Sequence, residues 1–155
     1  MSAMHIRQDD PTAAHVAPLL EHHLRELQEV MAEHAFALDA SGLSVPSVTF
    51  WTAWNGEMLA GFGALKELDA RRGEVKSMRA APSARGTGVG RALLAHIVEQ
   101  ARARGYNCLY LETGTAPLHV PAISLYRSAG FISCEAFADY EPSPHNQFMR
   151  LDLVP

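Results

Sequence analysis

The chain has 155 residues, 48% of them hydrophobic and 19% charged, and a formal net charge of −4. This is long enough for one domain around a single sizeable core, and the acidic balance argues against a nucleic-acid partner. No apolar run approaches the ~20 residues that span a bilayer, and the opening MSAMHIRQDDPTAAH lacks the apolar core of a secretory signal, so a cytoplasmic protein with no membrane partner is expected.

Residues 4–10, MHIRQDD, read as a first strand. Residues 11–30 carry Val16, Leu19, Leu20, Leu24 and Leu27 at a helical period, with Pro11 near the start and Pro18 inside the pattern, where a break or kink is expected. SVTFWTAWNGEMLAGFGALKEL reads as two strands joined at Asn55-Gly56, with Trp51 in the core and Trp54 on the rim. A turn at DARRG leads to the strand EVKSMRA, which stops at Pro82. A glycine-rich loop follows, then a helix with Leu93, Leu94, Ile97, Val98 and Ala101 on one face, ended by Gly105. NCLYLET is a strand, VPAISLYRSAG a short helix closed by Gly130, FISCEAFA a strand and NQFMRLDL the alternating strand that closes the sheet. The order β, helices, βββ, α, β, α, ββ predicts an α/β (α+β) single domain over residues 1–155, one sheet with helices on both faces.

Cys108 and Cys134 lie in apolar strand-like stretches and read as buried, inert thiols without disulfide or zinc-ligand spacing. The eight histidines include no HExxH, and no metal is expected.

The loop RGTGVGRALL raises the functional question. The first turn of a helix leaves backbone N–H groups unpaired and carries partial positive charge, so glycines at its mouth suit an anion. A Walker loop needs glycine and then lysine where Arg91 and Ala92 stand, so that reading fails. The glycines at 86, 88 and 90 give GxGxG rather than the dinucleotide spacing, although Glu112 lies 22 to 26 residues beyond them, where a ribose-binding acid would fall. A turn that only caps the helix stays open on the loop alone.

The loop together with its neighbours resembles the GNAT N-acetyltransferases. Arg85-Gly86-Thr87-Gly88-Val89-Gly90 matches that family's [QR]xxGx[GA] motif, and GEVKSMRAAPSA before it and AISLYRSAGF after it agree in order and spacing over residues 48–153. LETG and FADY…FM are similar to one branch of small bacterial members. The resemblance implies a mixed, mostly antiparallel sheet of six to seven strands splayed around acetyl-CoA. It implies a diphosphate on Gly86, Thr87, Gly88, Val89, Gly90 and Arg91, and pantetheine amides on the main chain of Met78, Arg79 and Ala80. Arg85 and Arg91 either add charge there or are solvated. Where many members have asparagine this chain has His119, as a cofactor contact, a second base or a loop residue.

The resemblance further implies Tyr126, in LYRSAGF, as proton donor to the leaving thiolate. It points to Glu74 as base for the amine, against the alternative that Glu74 is only the partner of Lys76, with which, and with Met78, it is expected to share a strand face. Glu112, next to Cys108 and Tyr110 on one face, and Tyr140 are expected near the acceptor, whose wall is drawn from His22, His23, Glu26 and Glu29. With Glu33 and Glu141 these acids imply a small cationic or zwitterionic primary amine, acetylated by direct attack in a ternary complex. The rival readings are an acetyl-CoA sensor without turnover and a protein or peptide amine acetyltransferase; a homodimer stays open.

Overall fold

In the computed structural model, which describes residues 4–32 and 38–154, the first strand, β1 (Met4–Gln8), lies at the sheet edge. Helix α1 (Ala17–Met31) begins with Pro18 in its first turn. The expected kink is therefore absent: proline lacks an N–H and tolerates the first turn, where that N–H has no partner, so Pro18 starts the helix rather than breaking it. A short helix α2 (Ala40–Leu43) is capped by Asp39, whose carboxylate accepts from the Gly42 N–H at 2.8 Å. Its few residues offered no periodicity to read.

Two hairpins follow. β2 (Val48–Asn55) turns at Gly56 into β3 (Met58–Asp69), which turns again into β4 (Arg72–Ala80). A 3-10 turn over Pro82–Ala84 leads through the glycine loop to α3 (Val89–Ala103). Then come β5 (Cys108–Gly114), α4 (Val120–Ser128), β6 (Ile132–Cys134) and β7 (Asn146–Asp152). The seven strands form one sheet in the order β1-β2-β3-β4-β5-β7-β6. Every neighbour is antiparallel except β4 and β5, which run parallel. β6 is shorter than the expected 131–138 strand, because Phe137 turns inward onto Tyr110, Tyr140 and Phe148, with ring centroids 4.8 to 5.8 Å away.

Helices cover both faces. Phe62 meets His23 of α1 edge-on at 5.5 Å, while its neighbours Gly61 and Gly63 face Leu93 and Ile97 of α3. These two glycines set how closely α3 approaches. A Cβ at Gly63 would stand 3.1 Å from Ile97 Cδ1 and from Met78 Cγ, and one at Gly61 would stand 2.5 Å from the Arg79 carbonyl oxygen. The buried side of α3 is Val89, Leu93, Leu94, Ile97 and Ala101, the expected stripe with Val98 moved to its margin.

Gly61→Ala would force β3 and β4 apart at Arg79. It should cost about 1–3 kcal/mol, the usual scale of overpacking, and lower Tm by about 3–10 °C in a thermal melt.

Candidate active site

β4 and β5 are hydrogen-bonded only over Arg72–Glu74 and Cys108–Tyr110, after which they part. The cause is local to β4. Ala64 pairs with Lys76 but Phe62 pairs with Arg79, so two residues, Ser77 and Met78, oppose the single Gly63. This is a bulge, with Ser77 at φ +52°. It resets the strand's alternation, and Met78 turns against Gly63 and Ile97, on the α3 side. The expectation that Met78 shares a face with Glu74 and Lys76 is thereby corrected: simple alternation fails at a bulge.

The gap is the floor of a cleft of about 700 Å³ between β4, the glycine loop and α4. Met78, Arg79, Ala80, Arg85, Gly86 and Gly88 lie on its wall, as do Val89, Gly90, Arg91 and His119. Thr87 does not; its hydroxyl donates to the Ala84 carbonyl and ties the loop down. Gly86 and Gly88 have φ of +78° and +89°, and a Cβ at either would meet no protein atom within 4 Å. The backbone there is left-handed and faces open space. Arg79 is held by Glu26 of α1 at 2.5 Å, with Arg85 at 4.0 Å from the same carboxylate. Burial works to raise the Glu26 carboxyl, but the Arg79 hydrogen bond and charge outweigh it and hold the group below its ordinary value.

The cleft shares His23, Leu27, Met78 and His119 with an inner cavity of about 100 Å³ between the parted strands, where Val75, Ser77, Glu112 and Thr113 also lie. Burial pushes the Glu112 carboxyl up from 4.5 to about 7; the Lys76 ammonium opposes this and the Glu74 carboxylate reinforces it. Burial and then the Arg79 charge hold the His23 imidazole down at about 4, and the same two causes lower His119. Both rings are neutral at neutral pH. His119 lies directly over Gly114, where no side chain other than hydrogen fits: a Cβ would meet its Nε2 at 2.3 Å.

Glu74 lines neither space. It is 2% exposed, accepts a 2.7 Å hydrogen bond from the Tyr140 hydroxyl, and lies 3.4 Å from the Lys76 ammonium, which in turn donates to Tyr140 at 2.7 Å. It is not the exposed end of a strand but the centre of a buried triad under the segment before β7. Tyr126 also lines neither space; it is buried, 8% exposed, and tilted against Phe131 with centroids 5.9 Å apart. Burial first, and then the nearby Glu112 charge, push that phenol up to about 12.

The sequence profile of the Acetyltransferase (GNAT) family matches residues 6–131. The chain belongs to the GNAT acetyltransferases. It is 48% identical over 151 residues to the uncharacterized N-acetyltransferase YsnE of Bacillus subtilis (strain 168), covering 97% of this chain and all of that one. It is 36% identical over 150 residues to an IAA acetyltransferase of Azospirillum brasilense, covering 96% and 97% of the two chains. A crystal structure from Klebsiella pneumoniae subsp. pneumoniae, assigned as an acyl-CoA N-acyltransferase, superposes with a TM-score of 0.80 at 29% identity, over 97% of this chain and 98% of the other.

This GNAT chain is therefore an acyltransferase of a family that draws its acyl group from acyl-CoA. The residues present fit such a donor: an open left-handed cradle at the mouth of α3, arginines beside it, and an unpaired edge of β4 leading inward. Of the acceptor-wall candidates only His23 and Glu112 line the inner cavity. Glu26 is engaged by Arg79, His22 lies 3.5 Å from Glu26, Glu29 and Glu141 are exposed, and Glu33 lies outside the described residues. Ser77 was not foreseen, since nothing in VKSMR marks a bulge. No group of His, Cys, Asp and Glu among the described residues has metal-site geometry. No helix among them is long and apolar enough to cross a membrane.

The Glu112 carboxyl keeps its proton to a higher pH in the native state than in the unfolded chain. Native protein alone binds that proton between pH 4.5 and about 7, so stability falls with rising pH through this window. Glu112→Gln should thus raise Tm at pH 8.5, by a stabilisation on the order of 2–3 kcal/mol, and the gain should fade toward pH 4.5. Melts across that range check it.

Proposed function

We propose that the chain is a cytoplasmic, single-domain N-acetyltransferase that moves acetyl from acetyl-CoA to the primary amine of a small molecule by direct attack in a ternary complex. The observation that carries this reading is the Glu112 carboxyl, raised to about 7, in a cavity that shares four wall residues with the glycine-loop cleft. The Azospirillum relative named for IAA supports a small acceptor.

Acetyl-CoA supplies an acetyl thioester, activated for attack by an amine. The unpaired N–H groups at the start of α3, with Arg85 and Arg91, hold the diphosphate. Beyond Glu74 the β5-facing edge of β4 has no ladder partner, and its main chain at Met78–Ala80 takes the pantetheine amides as an added strand would. Glu112 removes the proton from the nitrogen as the N–C bond forms. A free amine of pKa ~10.4 costs about 4.6 kcal/mol to deprotonate at pH 7, so a base titrating near 7 is well matched to the task. As the C–S bond breaks, Tyr126 donates a hydrogen bond to the departing sulfur. A phenol near 12 keeps its proton against a thiolate of pKa ~8.5, so the proton taken by Glu112 is the one that restores the thiol. Glu74, bound by Tyr140 and Lys76, holds the acceptor side of the site in place.

Gly88→Val would force a β-branched residue into a left-handed backbone and fill the cradle; calorimetry on folded variant should show acetyl-CoA affinity lost. Unchanged affinity would take the loop out of the site.

With acceptor in hand, wild-type kcat/KM should rise as Glu112 ionises through about pH 7. Glu112→Gln should lose most at neutral pH and recover toward the pKa of the amine, whereas Glu74→Gln should lose stability and keep the wild-type profile. Tyr126→Phe should lower kcat by about 10–100-fold, the worth of a hydrogen bond to a charged group, with acetyl-CoA affinity little changed. A profile displaced by Glu74→Gln and untouched by Glu112→Gln would reverse the assignment of the base.

A further inference from the structure

Nine buried side-chain polar atoms among the described residues lack a hydrogen-bond partner, and five of them belong to residues lining the inner cavity: Nδ1 and Nε2 of His23, Oγ of Ser77, Oε2 of Glu112 and Nε2 of His119. Folded proteins pair nearly all such atoms. Their concentration on one small wall marks a place built for a polar occupant. His23 is the sharpest case: it is 5% exposed and both ring nitrogens are unpaired, so an N–H and a lone pair go unmet in either tautomer. Ser77 presents its hydroxyl from a left-handed backbone, a costly state for a residue with a side chain and one that concentrates at functional sites.

Charge decides what the occupant is. Among the described residues Glu112 is the one acidic side chain on the wall. Glu74 is bound by Tyr140 and Lys76, and Glu26 by Arg79. The nearby cations are paired in turn, Lys76 with Glu74 and Arg79 with Glu26, which leaves Glu112 to meet a positive group. An acceptor with several positive charges would find one carboxyl for all of them. One with an amine for Glu112 and a carboxylate for the neutral donors would have each group met. The cavity is small, about 100 Å³, which suits a compact acceptor.

We infer that the acceptor is a small amino-acid-type zwitterion, its amine at Glu112 and its carboxylate on the His23 ring N–H and the Ser77 hydroxyl. This rests on the N-acetyltransferase reading above and narrows the expected cationic or zwitterionic amine to the zwitterion.

The test measures free-CoA release with each standard amino acid, its carboxamide and its decarboxylated amine, alongside calorimetry of acetyl-CoA. For the acceptor used, kcat/KM of the acid should exceed that of both derivatives by about tenfold or more, the worth of hydrogen bonds to a charged group. The preference should collapse in His23→Phe, which keeps an aromatic ring, and in Ser77→Gly, which removes the hydroxyl and suits the left-handed backbone. A decarboxylated amine acetylated as well as the acid overturns the inference, and so does an acid preference that survives both substitutions. Acetyl-CoA binding with no amino acid acetylated also overturns it. Failure of acetyl-CoA to bind at all is instead a failure of the acetyltransferase reading.

Discussion

The parting of β4 and β5 is the constraint from which the site follows. Two parallel strands hydrogen-bonded at three residue pairs and then separated leave backbone groups unpaired in the middle of a sheet, which an intact ladder would satisfy. The Ser77 bulge imposes this, because a residue in excess on β4 bends the strand away from its neighbour. The opened edge faces the start of α3, where helix geometry leaves N–H groups unpaired as well. Unpaired main-chain groups thus gather along one side of the cleft, and polar side chains gather at its inner end.

Most of the architecture was legible because it rests on local rules. The Asn55-Gly56 hairpin, the α3 stripe, the glycines that end α3 and α4 and the alternating β7 depend on neighbours in sequence. Pro18 was misread because its position within α1 depends on where the helix begins, and a periodic pattern alone does not give that. Met78 was misread and Ser77 missed because a bulge is defined by the partner strand: only when Gly63 is seen to oppose two residues does the face of Met78 become known. The glycine loop could be found from its own residues, whereas the polar end of the cleft could not. His23, Ser77 and Glu112 come from three separate segments and meet through the fold.

The two glutamates show how environment, not residue type, divides the work. Glu74 and Glu112 lie on neighbouring strands with Lys76 close to both. Glu74 has a hydroxyl donor at 2.7 Å and an ammonium at 3.4 Å, so its charge is met inside the protein. Glu112 receives the Lys76 charge at longer range, keeps one oxygen unpaired and feels the Glu74 carboxylate beside it. The Glu74 carboxylate is one of the causes, after burial, that raise the Glu112 carboxyl. A spacing argument from the glycine loop favours the first, and the proposed reaction uses the second.

This arrangement has a cost that falls on the free protein. The left-handed Ser77, the unmet nitrogens of His23 and the buried Glu112 are each destabilising, by about 1–3 kcal/mol for a strained residue or an unsatisfied buried group. All three stand on the same wall. Ser77 and Glu112 do not close the core, because α3 packs on the sheet through Leu93, Leu94 and Ile97, and the sheet remains paired from β1 to β4; His23 meets Phe62 edge-on, a contact that leaves both of its nitrogens unmet. Their persistence is therefore better explained by what they bind than by what they hold up. A ligand that meets those groups removes their cost in the bound state alone, so part of its binding free energy is already stored in the unliganded fold. That wall is then a part of the β4–β5 region that gains stability from being filled.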